Sequence, residues 1–199
     1  CFFNNIAVAA RHGVEQWGLK RVAIIDFDVH HGNGTEEIFA GDEQVLMVST
    51  FQHPFYPYSG TEHPAANMCN VPVKAGMRGE GFREVVTDVW LPRLREFAPE
   101  LIYISAGFDA HYEDDMASLG LVESDYAWVT EQLKDVARDT AQGHAQPNFA
   151  EARAIQRGGV EKSHALRQCA FDHCHRFGIA DRAEHIPHRG RTQTEFCGD

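Results

Sequence analysis

The apolar positions of this chain switch between two periods. Phe3, Ile6, Ala7, Ala10, Val14 and Trp17 recur at the three-and-four spacing of a helix face, and Gly18 is placed to end that helix. Residues 21–25 then form a short, β-branched run that leads into Asp26, Asp28, His30 and His31 and breaks at Gly32-Asn33-Gly34. Such a run predicts a buried strand that delivers polar groups at its C-terminal end. Residues 32–40 predict a short helix starting near Asn33 or Thr35, and residues 44–51 a second buried strand. A loop rich in aromatics and proline follows at residues 53–64, HPFYPYSGTEHP.

Phe82, Val85, Val86, Val89, Trp90, Leu94 and Phe97 give the clearest amphipathic helix. Pro92 lies inside it and predicts a kink or a division, and Pro99 marks its end. Residues 100–106, ELIYISA, predict a third strand that runs straight into Gly107-Phe108-Asp109-Ala110-His111. Tyr126, Val129, Leu133 and Val136 predict a further helix. Strands alternating with helices specify an α/β fold, a central parallel sheet covered on both faces. Ligands in such sheets bind beyond the C-terminal ends of the strands, where the polar clusters at 26–31 and 109–111 fall.

A strand's period of two puts Asp26, Asp28 and His30 on one face. That much polarity at the edge of a core is hard to satisfy without a cation. Asp28, His30 and Asp109 make a three-ligand set with an open position, the form of a catalytic rather than a structural zinc site. Asp26 would stand behind them, orienting a ligand or a catalytic imidazole. A lone Asp at a strand end is more often an ordinary satisfied polar group. D-x-D-x-H-H-G-x-G after an apolar strand, with a second strand ending in G-F-D-A-H, reverses those odds.

Length and charge add bounds. The chain has 199 residues, 43% hydrophobic, enough for one domain with a real core, and no apolar run approaches membrane-spanning length. The opening CFFNNIAVAARHG carries no signal-peptide pattern and reads as the middle of something longer. Five scattered cysteines, Cys1, Cys69, Cys169, Cys174 and Cys197, favour reduced thiols in the cytosol or nucleus. Residues 1–139 hold 22 acidic against 10 basic side chains, a net −12, while residues 140–199 hold 7 against 8, a net +1. So acidic a body disfavours direct nucleic-acid binding and suits a cationic substrate.

Beyond residue 139 the character changes. Residues 140–199 show no β-branched strand run and no sustained helical stripe, yet they hold half of the twelve histidines and three of the five cysteines. Cys169, His173, Cys174 and His175 allow a metal module, but their spacing fits no common zinc pattern. The other reading is that these residues do not belong to the fold, as after a slipped reading frame.

IDFDVHHGNGT, SAGFDAH and the opening CFFNN resemble the zinc-dependent histone deacetylase family, which includes acetylpolyamine amidohydrolases. The resemblance covers residues 1–138 by motif and element order. It implies a three-layer, arginase-like α/β fold and hydrolysis of the amide of acetyl-lysine or an acetylated polyamine. On matching positions, Asp28, His30 and Asp109 would be zinc ligands, and Asp26 the carboxylate behind one histidine of the catalytic pair. Asp26, Asp28, His30, Ser49 and Thr50 match the family's inner potassium site. Tyr56, before Pro57, falls at an aromatic wall of the acyl-lysine tunnel, and Met116 stands where relatives often have proline.

The resemblance also implies a zinc-polarised carbonyl and water, a histidine base and a tyrosine hydroxyl that steadies the oxyanion. The family's His-His pair would precede Cys1, and Gly158-Gly159-Val160 stands where a Gly-Gly-Tyr loop is expected. The chain then reads as the central part of a deacetylase domain at 1–139, cut before Cys1 and frame-shifted or rearranged near 139. Weak or absent turnover follows. Two alternatives stay open. One is a non-catalytic module that binds zinc and acyl-lysine. The other is an arginase-like binuclear manganese hydrolase, which would need acidic residues where Gly32 and His111 stand.

Overall fold

The computed structural model describes residues 3–142 and 152–156. Helix α1 (Asn5–Trp17) opens the fold, capped by Asn4, whose Oδ1 accepts from the Ala7 N–H at 3.1 Å. Gly18 ends it in the left-handed conformation, φ 71°. The apolar stripe buries Ile6, Ala7 and Ala10, while its two ends, Phe3 and Trp17, lie exposed.

Five parallel strands follow: β1 (Val22–Asp26), β2 (Val45–Gln52), β3 (Met68–Val73), β4 (Leu101–Ala106) and β5 (Ala152–Gln156). Their order in the sheet is β3-β2-β1-β4-β5. Every residue of β1, β2 and β4 is buried, as expected of central strands covered on both sides. Alternate residues serve opposite layers. Val22, Ile24, Val45, Met47, Leu101 and Tyr103 pack with α1 and with Phe39 of α2 (Asn33–Phe39). Ala23, Ile25, Leu46, Val48, Ile102 and Ile104 pack on the other face. The helices there are α3 (Gly79–Val85), α4 (Leu91–Phe97) and α5 (Glu123–Gln142). The three-layer α/β architecture expected from the alternation is the one observed.

Pro92 divides its helix as predicted. α3 and α4 are joined by a π-helical turn, Val86–Trp90, immediately before the proline. The missing N–H removes one backbone bond, and a wider turn accommodates the loss while Phe82, Val86, Trp90 and Leu94 stay fully buried.

Two strands escape the apolar pattern. β3 carries Asn70 and Pro72, both poor strand formers, and is only partly buried. β5 lies beyond residue 139, where no β-branched run announces a strand: its backbone pairs with β4 from Ile102↔Ala152 to Ala106↔Gln156. Parallel pairing is a main-chain matter, so ARAIQ, with one β-branched residue, pairs without a propensity signal. The change of character at 139 falls inside α5. Cys169, His173, Cys174 and His175 lie outside the described residues. Among those described, no helix is long and apolar enough to cross a membrane.

The strand order sets the place of the site. From β1 the chain moves outward to β2 and β3, then crosses back to lay β4 on the other side of β1. The crevice between the C-terminal ends of β1 and β4 is the point where that direction reverses.

Asn67, just before β3, fastens the turn between α2 and β2. Its Nδ2 lies 2.7, 3.0 and 2.8 Å from the carbonyl oxygens of Phe39, Asp42 and Val45, and its Oδ1 accepts from the Gly41 N–H at 2.9 Å. Asn67→Ala is expected to cost about 1–3 kcal/mol, since partly buried carbonyls lose their donor. Urea unfolding checks this: the midpoint falls with the slope unchanged.

Candidate metal centre

The strand ends deliver the side chains that the sequence points to. Asp26 closes β1, in register with Ser49 of β2 and Ser105 of β4. The chain then turns, and the turn is held by carboxylates. Asp26 Oδ1 accepts from the Asp28 N–H at 3.1 Å, and Asp28 Oδ1 from the His30 N–H at 2.8 Å. From β4, Asp109 reaches across: its Oδ1 accepts from the Val29 N–H at 3.0 Å. From β2, the Gln52 N–H donates to the Val29 carbonyl at 2.9 Å. The backbone after β1 is therefore pinned by both neighbouring strands.

This brings Asp28, His30 and Asp109 together, with one potential ligand atom from each lying within 4.8 Å of the others. His30 Nδ1 stands 2.9 Å from Asp109 Oδ2 and 3.0 Å from Asp28 Oδ1. Hydrogen bonds to Asp109 and then to Asp28 push the His30 pKa up to about 10, against the opposing effect of burial. Two carboxylates facing one imidazole make a place that favours positive charge. The donors, two carboxylates and one imidazole, suit zinc or another borderline divalent ion. No other group of three or more His, Cys, Asp or Glu residues with this geometry occurs among the described residues.

Glycine makes the room. A Cβ on Gly107 would fall 2.3 Å from Asp28 Oδ2, and one on Gly32 would fall 2.8 Å from Asp26 Oδ2. The two carboxylates occupy the space that side chains at these positions would take. SAGFD and HHG thus contain glycines whose need becomes visible only when the strands are side by side.

Above the group lies the aromatic loop. Phe55 stacks on His30 with centroids 5.3 Å apart and planes at 28°, and Tyr56 approaches it edge-on at 6.3 Å. Tyr56 is exposed. Sequence reading singled out Tyr56 and passed over Phe55, the closer ring. Beneath, Tyr126 packs against Phe27 and Phe108 at 5.5 and 5.2 Å, and burial pushes its pKa upward.

The remaining expected residues fall as follows. Asp26, Ser49 and Thr50 are buried, and Ser49 Oγ donates to Asn70 Oδ1 at 3.4 Å. His31 turns away from the group: its Nε2 meets Glu36 Oε2 at 2.5 Å, and burial lowers its pKa against the pull of that carboxylate. His111 is buried with Nε2 3.6 Å from Glu123 Oε2. Gly32 and His111, where a binuclear site would need acidic ligands, offer none.

Gly107→Ala is expected to displace Asp28 and weaken zinc binding by about tenfold or more, the usual scale for disturbing the groups that orient a ligand. In Gly34→Ala the new Cβ meets only an ordinary 3.8 Å contact with Asn4. That variant should bind as the parent does in a competition titration with a chromophoric chelator.

Comparisons with known proteins place the chain in a family. Residues 1–146 match the family model described as the histone deacetylase domain. A probable deacetylase of Archaeoglobus fulgidus is 40% identical over 133 residues, covering 64% of this chain and 37% of that protein. The type-2 histone deacetylase 2 of Dictyostelium discoideum is 33% identical over 187 residues, 87% of this chain and 11% of its own length. The crystal structure of the HDA15 HD domain superposes with a TM-score of 0.74 at 29% identity, covering 90% of this chain and 51% of that one. The chain thus spans about half or less of the length of each of these proteins. With a family model matched over most of its residues and the same fold in solved relatives, the chain belongs to the histone deacetylase family.

Proposed function

We propose that this polypeptide carries the metal-binding part of a zinc-dependent deacetylase acting on acetyl-lysine or an acetylated polyamine, and that it turns over slowly on its own. One observation supports this most: Asp28, His30 and Asp109 converge at the crevice between β1 and β4, beneath an aromatic wall. Residues 1–139 are, in this reading, the central part of the domain, with β5 added to its sheet.

Asp28, His30 and Asp109 would hold the ion. Bound there, it supplies Lewis-acid polarisation of an amide carbonyl. The chain's own residues do the rest. Asp109 is fixed by the Val29 N–H, and Asp26 holds the turn that presents Asp28. Phe55 and Tyr56 flank His30 and would line the passage of an extended, apolar acyl-lysine stem. The acidic body favours substrates that carry positive charge elsewhere. Potassium is proposed for the buried end of β1, with Asp26, Asp28, His30, Ser49 and Thr50 as donors. Cytosol or nucleus is the proposed compartment.

Slow turnover follows from what the imidazoles near the site are doing. His31 is engaged with Glu36 and His111 faces Glu123, so neither is directed to the metal group as a base. Without a histidine directed to the ion as a base, a rate loss of ~10²–10⁴ is expected. A non-catalytic acyl-lysine binder is the second reading that the same observation favours.

The test is the zinc-loaded chain with an acetyl-lysine peptide, with N-acetylputrescine, and with a fluorescent acyl hydroxamate as a binding probe. The proposal expects zinc-dependent hydroxamate binding that Asp109→Asn abolishes, and deacetylation slower than a typical enzyme by at least ~10². No binding with zinc present would overturn the assignment. Turnover at an ordinary ~10 s⁻¹ would overturn the proposed slowness.

A further inference from the structure

His31 follows a metal-site residue in the chain, yet its side chain belongs to another construction. It is 1% exposed, and its Nε2 meets Glu36 Oε2. Phe51 covers the ring, with centroids 4.6 Å apart. Gly60 lies against it as well: a Cβ at that position would sit 2.7 Å from Cγ, Nδ1 and Cε1 alike. Equal distances to three ring atoms place that Cβ over the face of the imidazole. Gly60 has φ +94°, a conformation open to glycine and strained for any other residue. Its carbonyl accepts from Asn70 Nδ2 at 3.0 Å. Gly60, behind the aromatic part of the loop, is therefore seated on His31 and tied to β3.

The first part of that loop rests on the other histidine, since Phe55 stacks on His30. Two consecutive imidazoles thus support one loop at two places. His30 meets the aromatic part and the carboxylates, and His31 meets the base. Because Glu36 sits on α2, the orientation of the His31 ring is set by an element outside the loop. A buried imidazole paired with a half-buried carboxylate carries a desolvation cost that their mutual hydrogen bond has to offset. The contact with Gly60 gives the pair a task that the metal group does not.

We propose that the Glu36–His31 pair is a positioning device for loop 53–60: it seats Gly60 and so holds Phe55 and Tyr56 over the metal group. This rests on the reading of the site as one that takes an acyl-lysine side chain. The pair acts on the wall of the passage and leaves the ligands of the metal alone. Affinity for the acyl chain and affinity for zinc are then separable properties of this chain.

The experiment compares Glu36→Ala and Glu36→Gln with the parent in three measurements: hydrogen exchange of the zinc-free protein, zinc affinity by chelator competition, and binding of the fluorescent acyl hydroxamate to the zinc-loaded chain. Glu36→Ala is expected to speed exchange in residues 53–60 and to weaken the hydroxamate, each by about tenfold, the scale of one lost hydrogen bond to a charged group. Exchange in β1 and zinc affinity should stay within about threefold, the scatter expected of a site left intact. Glu36→Gln, which keeps a hydrogen-bonding group, should restore most of the loss. Unchanged loop exchange in Glu36→Ala overturns the proposal, and so does a parallel loss of zinc affinity and β1 protection. If Glu36→Ala does not fold, Gly60→Ala, which presses a methyl into the ring, must give the same loop-confined result. Should the parent bind zinc and not the hydroxamate, the functional reading fails, while the exchange measurement still decides the role of the pair.

Discussion

Two carboxylates that repel each other are forced together, and the structure around them is arranged to hold them there. Asp28 and Asp109 arrive from different strands, and their ligand atoms come within 4.8 Å. Unit charges of like sign at that separation oppose one another by about 3 kcal/mol near a protein surface. His30 Nδ1 stands between them, 3.0 Å from Asp28 Oδ1 and 2.9 Å from Asp109 Oδ2, and its hydrogen bonds offset part of this. A divalent ion held there would offset it more fully. The His30 pKa is pushed up to about 10 by the same two carboxylates.

The sheet is what makes such a meeting affordable. β1 and β4 run parallel from Val22↔Leu101 to Asp26↔Ser105, so their ends stay in fixed register. Buried faces on both sides leave no freedom for a strand to slip, because a one-residue shift would turn every side chain to the wrong layer. The same rigidity reaches the loop. The residues after β1 are bonded to Asp109 on one side and to Gln52 on the other, and the two imidazoles that follow support the aromatic loop. Packing, register and site are one continuous set of contacts.

How much of this the sequence discloses depends on whether the signal is local. The runs at 21–25, 44–51 and 100–106 announce β1, β2 and β4 because central strands need apolar residues on both faces. The polar residues after two of them announce the Asp28–His30–Asp109 cluster because such density beside a core is hard to satisfy without a cation. Pro92 announces a break because its chemistry is local too. β3 and β5 are silent, since an outer strand is held by main-chain bonds that composition does not record. Gly107, Gly60 and the Glu36–His31 pair are silent for a different reason. Their roles exist only between segments distant in sequence: Asp28 fills the space beside Gly107, and the His31 ring fills that beside Gly60. HHG therefore reads as one motif in the sequence, while in the structure His30 faces Asp28 and Asp109 and His31 faces Glu36 and Gly60.

The central claim is that Asp28, His30 and Asp109 form a single metal site, which zinc absorption spectroscopy on the metal-titrated chain tests most directly. The account predicts saturation at one zinc per chain and an edge region fitted by nitrogen and oxygen donors only, with imidazole scattering lost in His30→Ala. Two ions per chain, sulfur in the first coordination sphere, or a spectrum indifferent to His30→Ala would contradict it.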